Sequence, residues 1–266
     1  MTALTMTGVG FSYENKTVLK DVSFRLGKGK LVGIVGPNGG GKSTLLKMMA
    51  KQLVPQQGNI TLNGMSLADY SMKALARELA FLPQQPISPA GITVEQLVQY
   101  GRHPHQGWFS QWSDEDAAQV ANAIKWMKLE DLLQQPVASL SGGQRQRAWL
   151  AMILAQDTGV ILLDEPTSAL DIGHQIEVME SISQMVAVGK TVVLVIHDLA
   201  AAARYCDELV AIGEQGVVAA GPVREVITKP MIDKLYNTHV DILQAPFDDA
   251  PVIVPRRQAD WQRLTG

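Results

Sequence analysis

The chain has 266 residues, 46% of them hydrophobic, with 18% charged residues and a formal net charge of −3. This is enough chain for one large α/β domain or a domain with an insertion, and enough apolar content for a real core. The composition excludes an internal disulfide, because Cys206 is the only cysteine, and it lacks the basic footprint of a dedicated nucleic-acid-binding protein.

Cys206 lies in an apolar stretch and reads as a packed small side chain suited to a reducing cytosol, not as a reactive thiol. No N-terminal stretch joins a basic start to an apolar core, so no secretion signal is expected. The longest clean apolar run, Val192–Ile196, is far short of the roughly 20 residues that cross a bilayer.

In chain order, residues 1–30 alternate apolar and polar positions (Val9, Phe11, Tyr13; then Val18, Val22, Phe24, Leu26), which predicts an antiparallel β ribbon. Leu31–Val35 is apolar and β-branched, the pattern of a buried strand. Gly36-Pro37-Asn38-Gly39-Gly40-Gly41-Lys42-Ser43-Thr44 follows, with the spacing G-x-x-x-x-G-K-[ST]. Glycines there let successive backbone N–H groups converge on phosphate oxygens. Lys42 reaches the outer phosphates and the Ser43 hydroxyl is a Mg²⁺ ligand, so the expected ligand is a nucleoside triphosphate. Residues 43–50 read as the helix whose N-terminal dipole faces those phosphates.

Residues 57–64 predict a short strand and Arg77–Leu82 another, ending at Pro83. From about 85 to 148 the pattern becomes helical. A helix begins at Thr93, Gly101–Trp112 is irregular and aromatic, and Ser113-Asp114-Glu115-Asp116 resembles a capped start, with apolar periodicity to Leu133. Ser141-Gly142-Gly143, at the start of another helix, offers a hydroxyl and unblocked amides to an anion. Val160–Leu163 is a buried strand delivering Asp164 and Glu165 at its C-terminal end, where α/β sheets place ligands. Asp164 is expected to hold Mg²⁺, and Glu165 to orient or deprotonate the attacking water. A helix over Ile172–Val188 and a strand over Val192–Ile196 follow, and His197 emerges on the same sheet edge, in reach of the γ-phosphate. His103, His105 and His174 lack the cysteine or carboxylate cluster of a metal site.

Taken together, Gly36–Thr44, Leu140-Ser141-Gly142-Gly143-Gln144 and Ile161–Pro166, in this order, resemble the ATP-binding cassette family, the motor subunits of ABC transporters, over roughly residues 4–245. The resemblance implies an α/β P-loop NTPase with a RecA-like parallel sheet core, an antiparallel β subdomain and an inserted α-helical subdomain. It divides the chain into 1–84 with 149–245 as the ATPase core, 85–148 as the helical insertion, and 246–266 as a C-terminal tail. It further implies ATP as substrate with Mg²⁺. Tyr13 stacks on adenine, Gln84 (with Gln85 its neighbour) touches Mg²⁺ and the attacking water, and His197 is the switch histidine. Ser141, Gly142, Gly143 and Gln144 close on ATP held by a second copy, and the segment ending at Asp171 links the two sites of a homodimer. Gly40 departs from the family, in which Ser, Cys or Ala is common.

Gly101–His105, Ser139–Thr158, Asp171–Val178 and Ala202–Asp207 resemble, more narrowly, ATPases of ferric-siderophore importers of the hydroxamate type, with haem and cobalamin importer ATPases as relatives. That resemblance implies membrane permease subunits docked at a groove after Gln84, where Trp108 and Phe109 are candidate contacts. It also implies an external substrate-binding protein, no nucleic-acid partner, and a peripheral location on the cytoplasmic face of a bacterial inner membrane. A soluble cassette protein acting on nucleic acid is the other class; one cassette, no heptad run and no basic patch argue against it.

Overall fold

The computed structural model describes residues 2–14, 16–107, 112–214, 216–246, 248 and 250–257. It opens on the expected antiparallel ribbon, β1 (Thr2–Tyr13) and β2 (Lys16–Gly27), which buries alternate residues such as Leu4 and Met6, and Val22, Phe24 and Leu26. The fully buried β3 (Leu31–Val35) leads into α1 (Lys42–Met49). β4 (Gln57–Leu62) then turns through Asn63 and Gly64, both with positive φ, into the short β5 (Met65–Ser66).

The next expected strand begins later than its sequence suggests. Arg77 and Glu78 complete a helix, α2 (Met72–Glu78), capped by the Ser71 hydroxyl, and Arg77 Nε donates to the Pro104 carbonyl at 2.9 Å. Only Leu79–Leu82 forms the strand, β6.

α3 (Val94–Tyr100) and α4 (Asp114–Trp126) start at the expected residues, each with a reciprocal capping box, Thr93 with Gln96 and Ser113 with Asp116. The apolar periodicity to Leu133 does not prolong α4. Lys128 turns left-handed (φ 53°) and a 3₁₀ turn occupies Glu130–Leu132. α5 (Gly142–Ala155) runs unbroken through positions 148 and 149. Trp108 and Phe109 lie outside the described residues.

β7 (Val160–Asp164), α6 (Ile172–Ala187) and β8 (Thr191–Val195) match the expected strand–helix–strand unit. Beyond them come α7 (Leu199–Tyr205), β9 (Glu208–Gly213), β10 (Gly216–Pro222), α8 (Val223–Val226), α9 (Lys229–Tyr236) and a hairpin of β11 (Val240–Gln244) with β12 (Pro251–Pro255). β12 lies inside the expected tail and pairs antiparallel with β11.

Among the described residues the main sheet has the order β10-β9-β3-β8-β7-β6, parallel from β9 to β6 with β10 antiparallel at one edge. A separate antiparallel sheet has the order β2-β1-β4-β5. The central strands are apolar without interruption because both faces are covered. Val160 and Leu162 pack toward the ribbon and α1, while Ile161 and Leu163 pack toward α3–α6; β3 and β8 split their residues the same way. Each such Val or Leu stabilises the fold by roughly 1.5–3 kcal/mol on burial. Cys206 sits in the second of these cores, where burial and then the Asp207 charge push its thiol up to about 12. It packs as an inert small side chain.

The parallel registers align one edge. Ile34 and Asp164 both pair with Val195, so Gly36, Glu165 and His197 leave β3, β7 and β8 side by side.

Candidate active site

At the end of β3, Gly36 has φ 146°, and a Cβ there would stand 2.0 Å from the Ile212 carbonyl oxygen, so only glycine lets the loop leave the sheet at this point. The loop closes with Gly40 N–H donating to Pro37 O at 3.2 Å, and α1 starts behind Gly41, which provides no side-chain cap. Its first amides are therefore unblocked and carry the positive end of the helix dipole. Lys42 is 5% exposed, and its Nζ donates to Gly36 O at 2.9 Å and Pro37 O at 2.8 Å. Burial lowers the Lys42 pKa, against the opposing pull of Glu165 and Asp164.

Ser43 Oγ donates to Asp164 Oδ1 at 2.9 Å. Asp164 is 4% exposed; burial pushes its carboxyl up, the Glu165 charge adds to this, and the Ser43 hydrogen bond with Lys47 and Lys42 pulls the other way. Glu165 adopts a left-handed φ of 53°, uncommon for a non-glycine residue. Gln84 Nε2 donates to its Oε2 at 2.6 Å, and His197 Nε2 lies 2.5 Å from its Oε1. Of the adjacent glutamines, it is Gln84 whose amide engages Glu165.

Lys42, Ser43, Glu165 and His197 border a cleft of about 810 Å³, whereas Gly36, Gln84 and Asp164 are not among the residues lining it. Tyr13, Pro37 to Thr44, Glu165 and His197 line it. Tyr13 is 47% exposed, with its ring edge-on to Phe11 at a centroid distance of 4.9 Å. Gly213, Glu214, Lys234 and Leu235 line it as well; sequence reasoning missed them. No motif marks these four, because they arrive from the β9–β10 turn and from α9, far along the chain.

Ser141, Gly142, Gly143, Gln144 and Asp171 are not among the residues lining that cleft. Ser141 caps α5, accepting from Gln144 N at 3.3 Å while Gln144 Oε1 accepts from Ser141 N at 3.0 Å. Ser141 and Gly142 are exposed, whereas Gly143 is buried against His174. Asp171 caps α6 and accepts from His174 N at 3.0 Å. The sequence candidates thus form two groups, one around the phosphate loop and one where α5 meets α6.

A family model described as ABC transporter matches residues 19–168. The achromobactin transport ATP-binding protein of Dickeya dadantii (strain 3937) is 44% identical, with 100% of this chain and 99% of that protein aligned. The iron(3+)-hydroxamate import ATP-binding protein of Bacillus subtilis (strain 168) is 38% identical, over 95% of this chain and 94% of that one. A solved metal-chelate type ABC transporter in an inward-facing conformation superposes with a TM-score of 0.84 at 28% identity, covering 97% of this chain and 99% of that chain. With the phosphate loop, the paired acids and the capped Ser-Gly-Gly helix all in one fold, the chain belongs to the ABC transporter family as an ATP-binding, ATP-hydrolysing subunit.

Proposed function

We propose that Glu165 is the base that activates water for ATP hydrolysis in this chain, and that the hydrolysis drives import of a ferric siderophore. The observation that carries this reading is the Glu165 carboxylate, gripped by Gln84 at 2.6 Å and His197 at 2.5 Å beside the phosphate loop. Two hydrogen bonds hold the carboxylate in one orientation. Each carboxylate oxygen keeps a further lone pair, so with nucleotide bound one of them accepts the proton of the water in line with the γ-phosphate without leaving that orientation, and His197 adds a contact to the γ-phosphate. Tyr13 presents its ring to the base. Pro37 has no N–H and the Gly40 amide closes the loop on Pro37 O, so it is the uncapped first amides of α1, from Lys42 onward, that are left for the phosphates. Lys42 uses two of its three N–H groups on the Gly36 and Pro37 carbonyls and keeps one for a phosphate oxygen.

The donor set fits Mg²⁺. The Ser43 hydroxyl and the Asp164 carboxylate are hard oxygen donors already 2.9 Å apart, and Gln84, bonded to the neighbouring Glu165, would supply a third through its amide oxygen. Held by Ser43, Asp164 and Gln84, a Mg²⁺ ion would supply positive charge against that developing on the outer phosphates.

In importers, ATPases of this family work as dimers with membrane permease subunits. For this chain the proposal is a homodimer in which Ser141, Gly142, Gly143 and Gln144 complete the ATP site of the second copy; the exposure of Ser141 and Gly142, and the absence of all four from the lining of the chain's own cleft, support it. Permease subunits would dock after Gln84, where Ile87, Tyr100 and Trp112 are exposed. Residues 85–148 would be the unit that moves with them. Among the described residues no helix is long and apolar enough to cross a membrane. The permease would therefore hold this subunit at the cytoplasmic face of the inner membrane, with a substrate-binding protein on the far side.

The cargo reading rests on the two relatives and on the metal-chelate neighbour. The test is uptake of labelled ferric hydroxamate and ferric achromobactin, with haem and cobalamin beside them, in cells lacking this chain. Loss of ferric-siderophore uptake, restored by the parent and not by Glu165→Gln, is the expected result. Purified Glu165→Gln should retain ATP binding and lose roughly 10²–10⁴-fold in hydrolysis. Hydrolysis at the parent rate would remove Glu165 from the base role, and loss of only haem or cobalamin uptake would replace the cargo.

A further inference from the structure

Gly143 and His174 meet where α5 packs on α6. A Cβ on Gly143 would come within 2.2 Å of His174 Cδ2, 2.8 Å of Cγ and 2.9 Å of Nε2. The imidazole thus fills the space that any side chain at position 143 would need. Gly143 has no positive φ, so the backbone conformation does not require glycine there; the ring does. The neighbouring Gly142 is under no such pressure, since a Cβ there would meet only Leu170 Cδ2, at 3.4 Å.

The ring is held in turn. His174 Nδ1 lies 2.7 Å from Asp171 Oδ2, and the His174 backbone N–H donates to Asp171 Oδ1 at 3.0 Å. Hydrogen bonds from the His174 backbone and side chain keep the Asp171 carboxyl below its usual range. As an anion it only accepts, so Nδ1 carries the proton and the Cδ2–Nε2 edge is left to face Gly143. One turn along both helices, Arg147 Nη1 donates to Glu177 Oε2 at 2.8 Å. The α5–α6 contact therefore has two rungs, an imidazole against a glycine backbone and an ion pair.

We propose that His174 is a positioning residue for ATP hydrolysis, a wedge pinned to Asp171 that sets how the Ser141–Gly143 start of α5 is presented to the second copy. It is not among the residues lining the chain's own nucleotide cleft; it acts by making the Asp171 segment and the start of α5 move as one piece. The inference rests on the reading that this helix start completes the partner's ATP site.

The test is a double-mutant cycle on the full chain: His174→Ala, Gly143→Ala and the pair, with Ser141→Arg as a control. Thermal melting, ATP binding and steady-state hydrolysis are measured for each. His174→Ala should leave ATP affinity and KM within about twofold while kcat falls roughly tenfold, because small misplacements cost rate more than binding. Gly143→Ala should be worse, its Cβ driven into the ring. In the double variant that Cβ takes the vacated space, and kcat should recover several-fold over Gly143→Ala, a non-additive cycle.

A parent-like kcat for His174→Ala, or an additive cycle, overturns the proposal. If Gly143→Ala does not fold, the kcat-against-KM split of His174→Ala decides alone. Ser141→Arg separates the two levels. Its hydrolysis at the parent rate would refute the role of the α5 start itself, whereas an inactive Ser141→Arg beside a parent-like His174→Ala would refute only the wedge.

Discussion

In the Mg²⁺-holding role proposed for it, Asp164 sets function against stability. It is a nearly buried carboxylate, pushed up by burial and by the charge of Glu165, and only the Ser43 hydroxyl with nearby Lys47 and Lys42 offsets this. A carboxyl whose folded pKa exceeds its unfolded value favours the fold at low pH, and that contribution is lost as pH rises through the folded value. At neutral pH the ionised Asp164 therefore destabilises the nucleotide-free protein. Asp164→Asn keeps an acceptor for Ser43 and removes the charge. It is expected to raise the melting temperature at pH 7 by about 2–4 °C while abolishing Mg²⁺-dependent hydrolysis. A lower melting temperature would show that the charge stabilises the empty site. At this scale the placement of the glycine loop, Asp164, Glu165 and His197 side by side was legible, because each follows or ends an apolar strand of one parallel sheet. Gly213, Glu214, Lys234 and Leu235 were not, because their local patterns say only turn and helix.

At the level of elements, the segment after α3 is fastened to the core by a buried ion pair. Arg102 Nε meets Asp116 Oδ1 at 2.7 Å with side chains 3% and 8% exposed, and Arg102 Nη1 donates to Ala155 O at 2.9 Å. His105 Nε2 adds a contact to Gln156 O at 2.8 Å. Burial alone would raise the Asp116 carboxyl, but hydrogen bonds from Arg102 and Ser113 hold it below its usual range. Its contribution is thus complete above the unfolded carboxylate pKa near ~4 and is lost as pH falls through the lower folded value. Arg102→Met should cost about 3–5 kcal/mol at neutral pH, because it strands a buried charge, and the deficit should shrink below about pH 4 as Asp116 protonates. Urea unfolding at both pH values measures it; an equal deficit at both would rule out the ionic origin. The helix starts at Thr93 and Ser113 were readable from capping residues. The late start of β6 was not, because Arg77 belongs to α2 through a bond to Pro104, which is distant in sequence.

For the whole molecule, the two groups of candidate residues lie apart in one chain, and a second copy is what would unite them. Hydrolysis per chain is then expected to fall steeply on dilution below the dimer dissociation constant, while ATP binding per chain stays constant. A rate per chain independent of concentration would mean that one copy suffices.

The unbroken apolar runs Leu31–Val35, Val160–Leu163 and Val192–Ile196 determined by themselves that a doubly covered parallel sheet forms, since such runs can be buried only with both faces packed. Gly36 to Thr44 likewise determined a tight glycine loop running into an uncapped helix start, because its glycines and Lys42 act through local backbone geometry. Only the tertiary structure decided that Gln84 and His197 grip Glu165, that α9 walls the cleft, and that His174 stands against Gly143. Those contacts join residues far apart in the chain, and local periodicity carries no information about which distant elements will pack together.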